Sequence, residues 1–245
     1  GFAETFMPKG RAPYAGEYFA SPGHARTLRL IAETKGRAFY EGEIAREIAD
    51  FAALHNAALT LQDLAAHKPD WCGTLSRQFD DVTLHEIPPN GQGIAALMAL
   101  GILSHTGIRK LDVDDPHALH LQIEAMKLAL RDAEAYVADS DYMSDVTAAD
   151  MLDEGYLSSR AREINLSCAT DFGAGAPKNG GTVNLATADA SGMMVSVIQS
   201  NYAGFGSGVV VPGTGVALQN RGADFSLDPA HQNHVGPGKK PFHTI

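Results

Sequence analysis

Gly180-Gly181-Thr182 joins a hydroxyl side chain to two preceding glycines. Cutting the peptide bond after Gly181 would leave Thr182 with a free α-amine beside its own hydroxyl. An α-amine, whose ordinary pKa is about 8, can take the hydroxyl proton at neutral pH, so nucleophile and base would sit in one residue. Glycine before the cut suits the close-approach turn through which the hydroxyl would attack its own preceding carbonyl. Gly181 and Thr182 are therefore the candidate self-cleavage site, and Thr182 the candidate catalytic nucleophile. Taken alone, the triplet also reads as a β-forming residue after a turn.

A second hydroxyl follows from strand register. Residues 182–189 and 193–200, on either side of Ala190-Ser191-Gly192, read as a β-hairpin. With a three-residue loop Asp189 faces Met193, and stepping back along both strands brings Thr182 opposite Ser200. Opposed residues in an antiparallel pair have Cβ atoms roughly 4.5–5.5 Å apart, so Ser200 is the candidate group that hydrogen-bonds and orients the nucleophile. A loop one residue longer or shorter would put Gln199 there instead.

The elements around this hairpin change character along the chain. Residues 25–35 and 43–54 have apolar positions at helical spacing, and Thr60 with Asp63 has the form of a helix N-cap. Residues 79–87 alternate with period two and end at Pro88-Pro89, which predicts a strand. Residues 91–103 form an apolar, Ala-rich buried helix. In a long helix over 117–137, Leu119, Ile123, Met126, Leu130, Ala133 and Val137 mark an expected core face. Residues 167–181 are rich in Ser, Ala, Gly, Pro and Asn without apolar periodicity, as a flexible linker is. Beyond it the pattern is of strands, with a further one expected over 215–220. The expected organisation is thus a helical segment 1–166, a linker 167–181 and a β-rich segment 182–245.

Composition narrows the classes of partner. The 245 residues are 44% hydrophobic, enough for one substantial core or two small ones, and no apolar run approaches the roughly 18–20 residues of a membrane span. A net charge of -10, with no long basic run, argues against a nucleic-acid footprint. Cys72 and Cys168 stand apart and outside any CxxC spacing, so they read as buried or idle thiols rather than a zinc site or disulfide framework. The start at Gly1 lacks the charged and apolar regions of a signal peptide and reads as processed, tagged or excised; the compartment stays open.

Other motifs are set aside on chemistry. Gly204-Phe205-Gly206-Ser207-Gly208 lacks the third glycine of a dinucleotide fingerprint and has no helix after it, so it reads as a turn. Gly236-Pro237-Gly238-Lys239-Lys240-Pro241 has no Ser or Thr after its lysine for magnesium. His117 and His120 lack a matching carboxylate cluster, and His120 reads as a packed helix residue. The acidic run 112–115 suits the N-terminal dipole of the helix that follows. No metal and no cofactor is called for.

Along nearly its whole length the sequence resembles the γ-glutamyltranspeptidase family of N-terminal-nucleophile hydrolases. Gly181-Thr182 through Asp189, Gly204-Phe205-Gly206-Ser207-Gly208, Gly213-Thr214-Gly215, Gln219-Asn220-Arg221, Asp224-Phe225-Ser226 and Gly236 through Pro241 are ordered and spaced as at the start of that family's small subunit. Ala38 through Gly42, Leu59 through Leu64, Pro88 through Gly93 and His120 through Lys127 resemble the second half of its large subunit. The resemblance implies an α/β fold, the four-layer αββα sandwich, present here as a partial chain. It implies a proenzyme that cleaves itself before Thr182 into large and small subunits, as one such pair or a dimer of pairs, acting on a small-molecule amide and needing no nucleic acid or membrane. Thr182 matches the family nucleophile, Ser200 the hydroxyl that contacts it, and Asp224 the carboxylate that holds the substrate ammonium. An Arg for the substrate carboxylate and a Gly-Gly oxyanion hole are expected outside the given sequence.

The departures concern the acyl group. Tyr202 stands where the family has Asn, Arg221 where it has Gln, and His243-Thr244 where it has a Ser pair for the substrate carboxylate. With Asn201, these are the expected substrate-binding positions. The set resembles a side branch with cephalosporin-acylase-like and oxamate-amidohydrolase-like members, in which Arg221 would serve an acyl carboxylate. An ion pair between Arg221 and Asp224 is the competing reading of that arginine. Three functions stay open at this point: γ-glutamyl transfer or hydrolysis, an acylase or oxamate-type amidohydrolase without γ-glutamyl transfer, and an unprocessed, inactive relative with a binding role.

Overall fold

The computed structural model describes residues 1–172 and 180–244, with residues 180–182 described by backbone alone. In chain order the helices are α1 (Phe2–Phe6), α2 (Pro22–Thr34), α3 (Arg37–Tyr40), α4 (Glu43–Leu54) and α5 (Leu61–Ala66), followed by strands β1 (Leu75–Phe79) and β2 (Val82–Glu86). Then come α6 (Ile94–Ser104), α7 (Pro116–Tyr136), α8 (Ala148–Met151), α9 (Glu154–Ala161), β3 (Gly180–Ala188) and β4 (Met194–Ala203). Two compact units result. The first takes Gly1–Asp70 and Asn179–Asn220, the second Trp71–Lys178 and Arg221–Ile245. Each unit therefore draws on both sides of the stretch expected as a linker, of which residues 173–179 lie outside the described residues.

In the first unit α4 buries Ile44 and Ile48 against Val211, with Leu30, Phe51 and Leu64 around them. Thr60 caps α5 as its sequence suggested. Its hydroxyl accepts the Asp63 amide while the Asp63 carboxylate accepts the Thr60 amide, satisfying two donors that a helix start leaves open. The strand expected over 215–220 is not formed. Those residues run antiparallel to 207–211 through a single bridge, Val210 to Ala217, and through Leu218 N–H donating to Val209 O and Ser207 N–H to Leu218 O. Gly206, Gly208, Gly213 and Gly215, at φ 67°, 72°, 74° and 72°, break the extended backbone that a strand requires.

The second unit is built on α6 and α7. Eight of the eleven residues of α6 are buried, and the other three, Ala96, Leu100 and Ser104, follow one narrow line at four-residue spacing. The core face of α7 differs from the expected one. Leu119, Ile123, Met126 and Leu130 are exposed, and of that set only Ala133 and Val137 are buried. Ala118, Leu121, Ala125, Leu128 and Ala129 face the core instead. The physical reason is close approach: an Ala-rich stripe lets two helices pack backbone to backbone, whereas the larger residues form a second apolar stripe on the other side. Asp132 ties α9 to α7 through Arg160, at 2.8 and 3.0 Å, and through the Tyr156 hydroxyl at 2.8 Å. The strand expected over 79–87 is β2, starting at Val82, and it pairs with β1, which the sequence did not suggest, across a turn at Asp80-Asp81, where Asp80 takes φ 58°, a left-handed conformation that aspartate tolerates. Cys72 and Cys168 are both free and exposed, so of the two expected readings, buried or idle, the buried one does not hold, because both lie in stretches outside the helices and strands.

Candidate active site

The hairpin register is set at its turn. The Asp189 carboxylate accepts the N–H of Ser191 at 2.8 Å and of Met193 at 3.2 Å, and the Ser191 hydroxyl at 2.6 Å. Those bonds, the Ser191 hydroxyl first, hold the Asp189 carboxyl below its usual range. Gly192 takes φ 87°, the left-handed step that closes a three-residue loop, and Asp189 N–H meets Met193 O. With the loop fixed at three residues, Thr182 pairs with Ser200 and Val183 with Gln199, as the counting argument requires.

Just beyond that pair the ladder slips. It passes from Thr182↔Ser200 to Gly180↔Ala203, two steps on β3 against three on β4. The extra residue makes a β-bulge, a device that re-aims a strand near a functional site. Tyr202 sits in it at φ 77°, outside the range comfortable for a residue with a Cβ. The Ser200 hydroxyl oxygen accepts the Tyr202 N–H at 2.9 Å, so the hydroxyl proton is directed elsewhere. Asn201 gives its carbonyl to the Asn220 N–H at 3.3 Å. The side chain of Thr182 lies outside the described residues.

The remaining expected positions belong to the second unit. Arg221 opens a short 3-10 turn, Arg221–Asp224, and is 5% exposed, so it is no surface side chain. Its Nη1 donates to Thr244 Oγ1 at 3.4 Å. Asp224 and Thr244 line one cleft of about 520 Å³, together with Phe225, Phe242, Glu134 and His231. His243 is held through its main chain: its N–H donates to Asn90 O at 2.8 Å and its carbonyl accepts the Gln92 N–H at 2.9 Å. The Pro88-Pro89-Asn90-Gly91-Gln92-Gly93 stretch thus forms the seat for residues 241–243, reinforced by Asn90 Nδ2 donating to Pro241 O at 2.7 Å.

Two asparagines matter here that the sequence did not single out for a role. Asn233, 4% exposed, donates from Nδ2 to Asp224 O at 2.7 Å and accepts the Phe242 N–H at 2.9 Å. It thereby fixes the two segments that carry Asp224 and Thr244. Asn220 accepts the Ala203 N–H on its side-chain oxygen at 3.2 Å, on the far side of the bulge. Its membership of the Gln219-Asn220-Arg221 motif was the available signal. His120 lies half-buried on α7, its Nε2 2.8 Å from the Asn165 carbonyl.

The sequence model of the Gamma-glutamyltranspeptidase family matches residues 1–245, and the chain belongs to that family. It is 40% identical over 245 residues to the oxamate amidohydrolase proenzyme of Klebsiella pneumoniae, covering 100% of this chain and 46% of that relative. It is 35% identical over 244 residues to the glutathione hydrolase-like YwrD proenzyme of Bacillus subtilis, covering 99% and 46%. Among solved structures it is similar to the cephalosporin acylase from Bacillus halodurans, with a TM-score of 0.88, 48% identity, and coverage of 100% of this chain and 44% of that one. The mixed helix-and-strand fold is part of the N-terminal-nucleophile hydrolase fold of these relatives, and the chain spans less than half their length.

Proposed function

We propose that the complete protein is a self-processing amide hydrolase whose nucleophile is Thr182. In maturation the Thr182 hydroxyl attacks the Gly181 carbonyl carbon, the Gly181–Thr182 C–N bond breaks, and the freed α-amine takes the hydroxyl proton. Water then hydrolyses the ester, leaving a Gly181 carboxylate and Thr182 as a new N-terminus. In turnover the same oxygen attacks a substrate amide, the departing amine carries off the proton, and water resolves the acyl-enzyme. The observation that carries this reading is the register opposing Ser200 to Thr182, fixed by the Asp189 turn. The proenzyme names of both curated relatives support it.

For the acyl group we favour one bearing a carboxylate without an α-amine, of the oxamyl or glutaryl kind, over γ-glutamyl. Arg221 is buried and bonded to Thr244, and a fixed guanidinium there disfavours an ammonium and suits a carboxylate. The oxamate amidohydrolase and cephalosporin acylase names of similar proteins favour the same side. The test is kcat/KM for glutaryl-p-nitroanilide, γ-glutamyl-p-nitroanilide and oxamate on the matured enzyme, wild type and Arg221→Gln. The carboxylate-only substrates are expected to lead, with Arg221→Gln moving the ratio toward γ-glutamyl by about tenfold, the scale of one mismatched buried polar group. A clear lead for the γ-glutamyl substrate in the wild type returns the protein to ordinary γ-glutamyl chemistry.

A further inference from the structure

The β4 bulge lies opposite the bond that the proposed maturation cuts. Between the pairs Thr182↔Ser200 and Gly180↔Ala203, Gly181 alone on β3 faces Asn201 and Tyr202 on β4. Left to itself a tyrosine resists φ 77°, because its Cβ crowds the neighbouring carbonyl, so this backbone must be held from outside. Asn220 holds it on both flanks. The Asn220 N–H donates to the Asn201 carbonyl at 3.3 Å and the Asn220 Oδ1 accepts the Ala203 N–H at 3.2 Å, bracketing Tyr202 on both sides. With its flanks fixed, the Tyr202 N–H reaches back to the Ser200 oxygen at 2.9 Å. That bond occupies one lone pair of the Ser200 oxygen, so its proton turns away from the Tyr202 N–H.

We infer that Asn220 is a positioning residue for self-cleavage: by bracing the bulge at Tyr202 it aims the Ser200 hydroxyl and shapes the β4 backbone facing the Gly181–Thr182 bond. The inference rests on the reading of Thr182 as nucleophile and Ser200 as its support. Asn220 makes no claim on substrate, and it acts only through the main chain of residues 201–203. The Asn220 side chain matters as an acceptor alone, so an aspartate in its place keeps the brace. A glycine at 202 adopts a left-handed conformation without steric cost and so lessens the need for it.

The test follows maturation of the full-length precursor by the rate at which one chain becomes two. Asn220→Ala is expected to slow it about three- to tenfold, the change that one lost hydrogen bond in the reacting geometry corresponds to. Asn220→Asp should stay within about twofold of wild type, and adding Tyr202→Gly to Asn220→Ala should restore most of the rate. In the Ser200→Ala background Asn220→Ala should add little, because both changes act on the same hydroxyl. A merely structural role would slow Asn220→Asp and Asn220→Ala alike and leave the glycine without effect; that result, or wild-type maturation of Asn220→Ala, overturns the inference. Ser200→Ala maturing at the wild-type rate would instead remove the reading of Ser200 beneath it.

Discussion

Replacing Glu124 with Gln is expected to loosen the segment that leads toward the cleavage site. Glu124 is fully buried on α7, its carboxylate 2.7 Å from Lys127 Nζ and 3.0 Å from the Thr170 N–H, and Lys127 also donates to the Thr170 carbonyl. Burial works to raise the Glu124 pKa, but the Lys127 and Thr170 bonds outweigh it and hold the carboxyl below its usual value. Lys127 is 35% exposed and can return its charge to water, so the full cost of a stranded buried ion does not apply. What is lost is charge-assisted bonding worth about 1.5–3 kcal/mol. Hydrogen exchange at the Thr170 amide of the complete protein should then speed up roughly ten- to a hundredfold in Glu124→Gln, since each 1.4 kcal/mol is a factor of ten. The sign with pH is fixed by the lowered pKa. Ionised Glu124 stabilises the fold above its unfolded value near 4.5, and that stabilisation is lost as pH falls through the lower folded value. The gap in urea midpoint between wild type and Glu124→Gln should therefore be widest near neutrality and close in acid. Thr170 exchange within twofold of wild type, or a gap that stays constant into strong acid, would refute the clamp.

Three further outcomes follow from the geometry. One glycine inserted between Ser191 and Gly192 should shift the hairpin register and abolish maturation without melting α6 and α7, as read by subunit formation and circular dichroism. Asn233→Leu should strand the Asp224 carbonyl and the Phe242 N–H, costing about 1–3 kcal/mol for each, and should raise KM for the acyl donor more than it slows maturation. Thr60→Ala should remove the α5 cap at a cost of about 1 kcal/mol while leaving maturation unchanged, measured by urea denaturation and by subunit formation.

Local signals proved the most legible in the sequence. The α4 span, the Thr60 cap and the Thr182↔Ser200 register each depend on a few neighbouring residues, and the structure has all three. What could not be read depends on partners far along the chain. The α7 helix carries two apolar stripes, and periodicity alone favours the one with larger side chains, whereas packing against α6 selects the Ala-rich one. Residues 215–220 have strand-forming composition, but the glycines opposite and before them cut the ladder to one bridge. Asn233 has no sequence signature, because its two side-chain bonds join main-chain groups nine residues away on either side. The bulge at Tyr202 was hidden for a different reason: strand alternation predicts a register but not where it slips.

Whether Thr182 cuts the chain before itself is read by intact mass spectrometry of the full-length protein and its Thr182→Ala variant after identical incubation. The expected result is two wild-type fragments whose masses divide between Gly181 and Thr182, and a single folded Thr182→Ala chain that stays whole. A Thr182→Ala protein that matures into the same two fragments at the wild-type rate would contradict it.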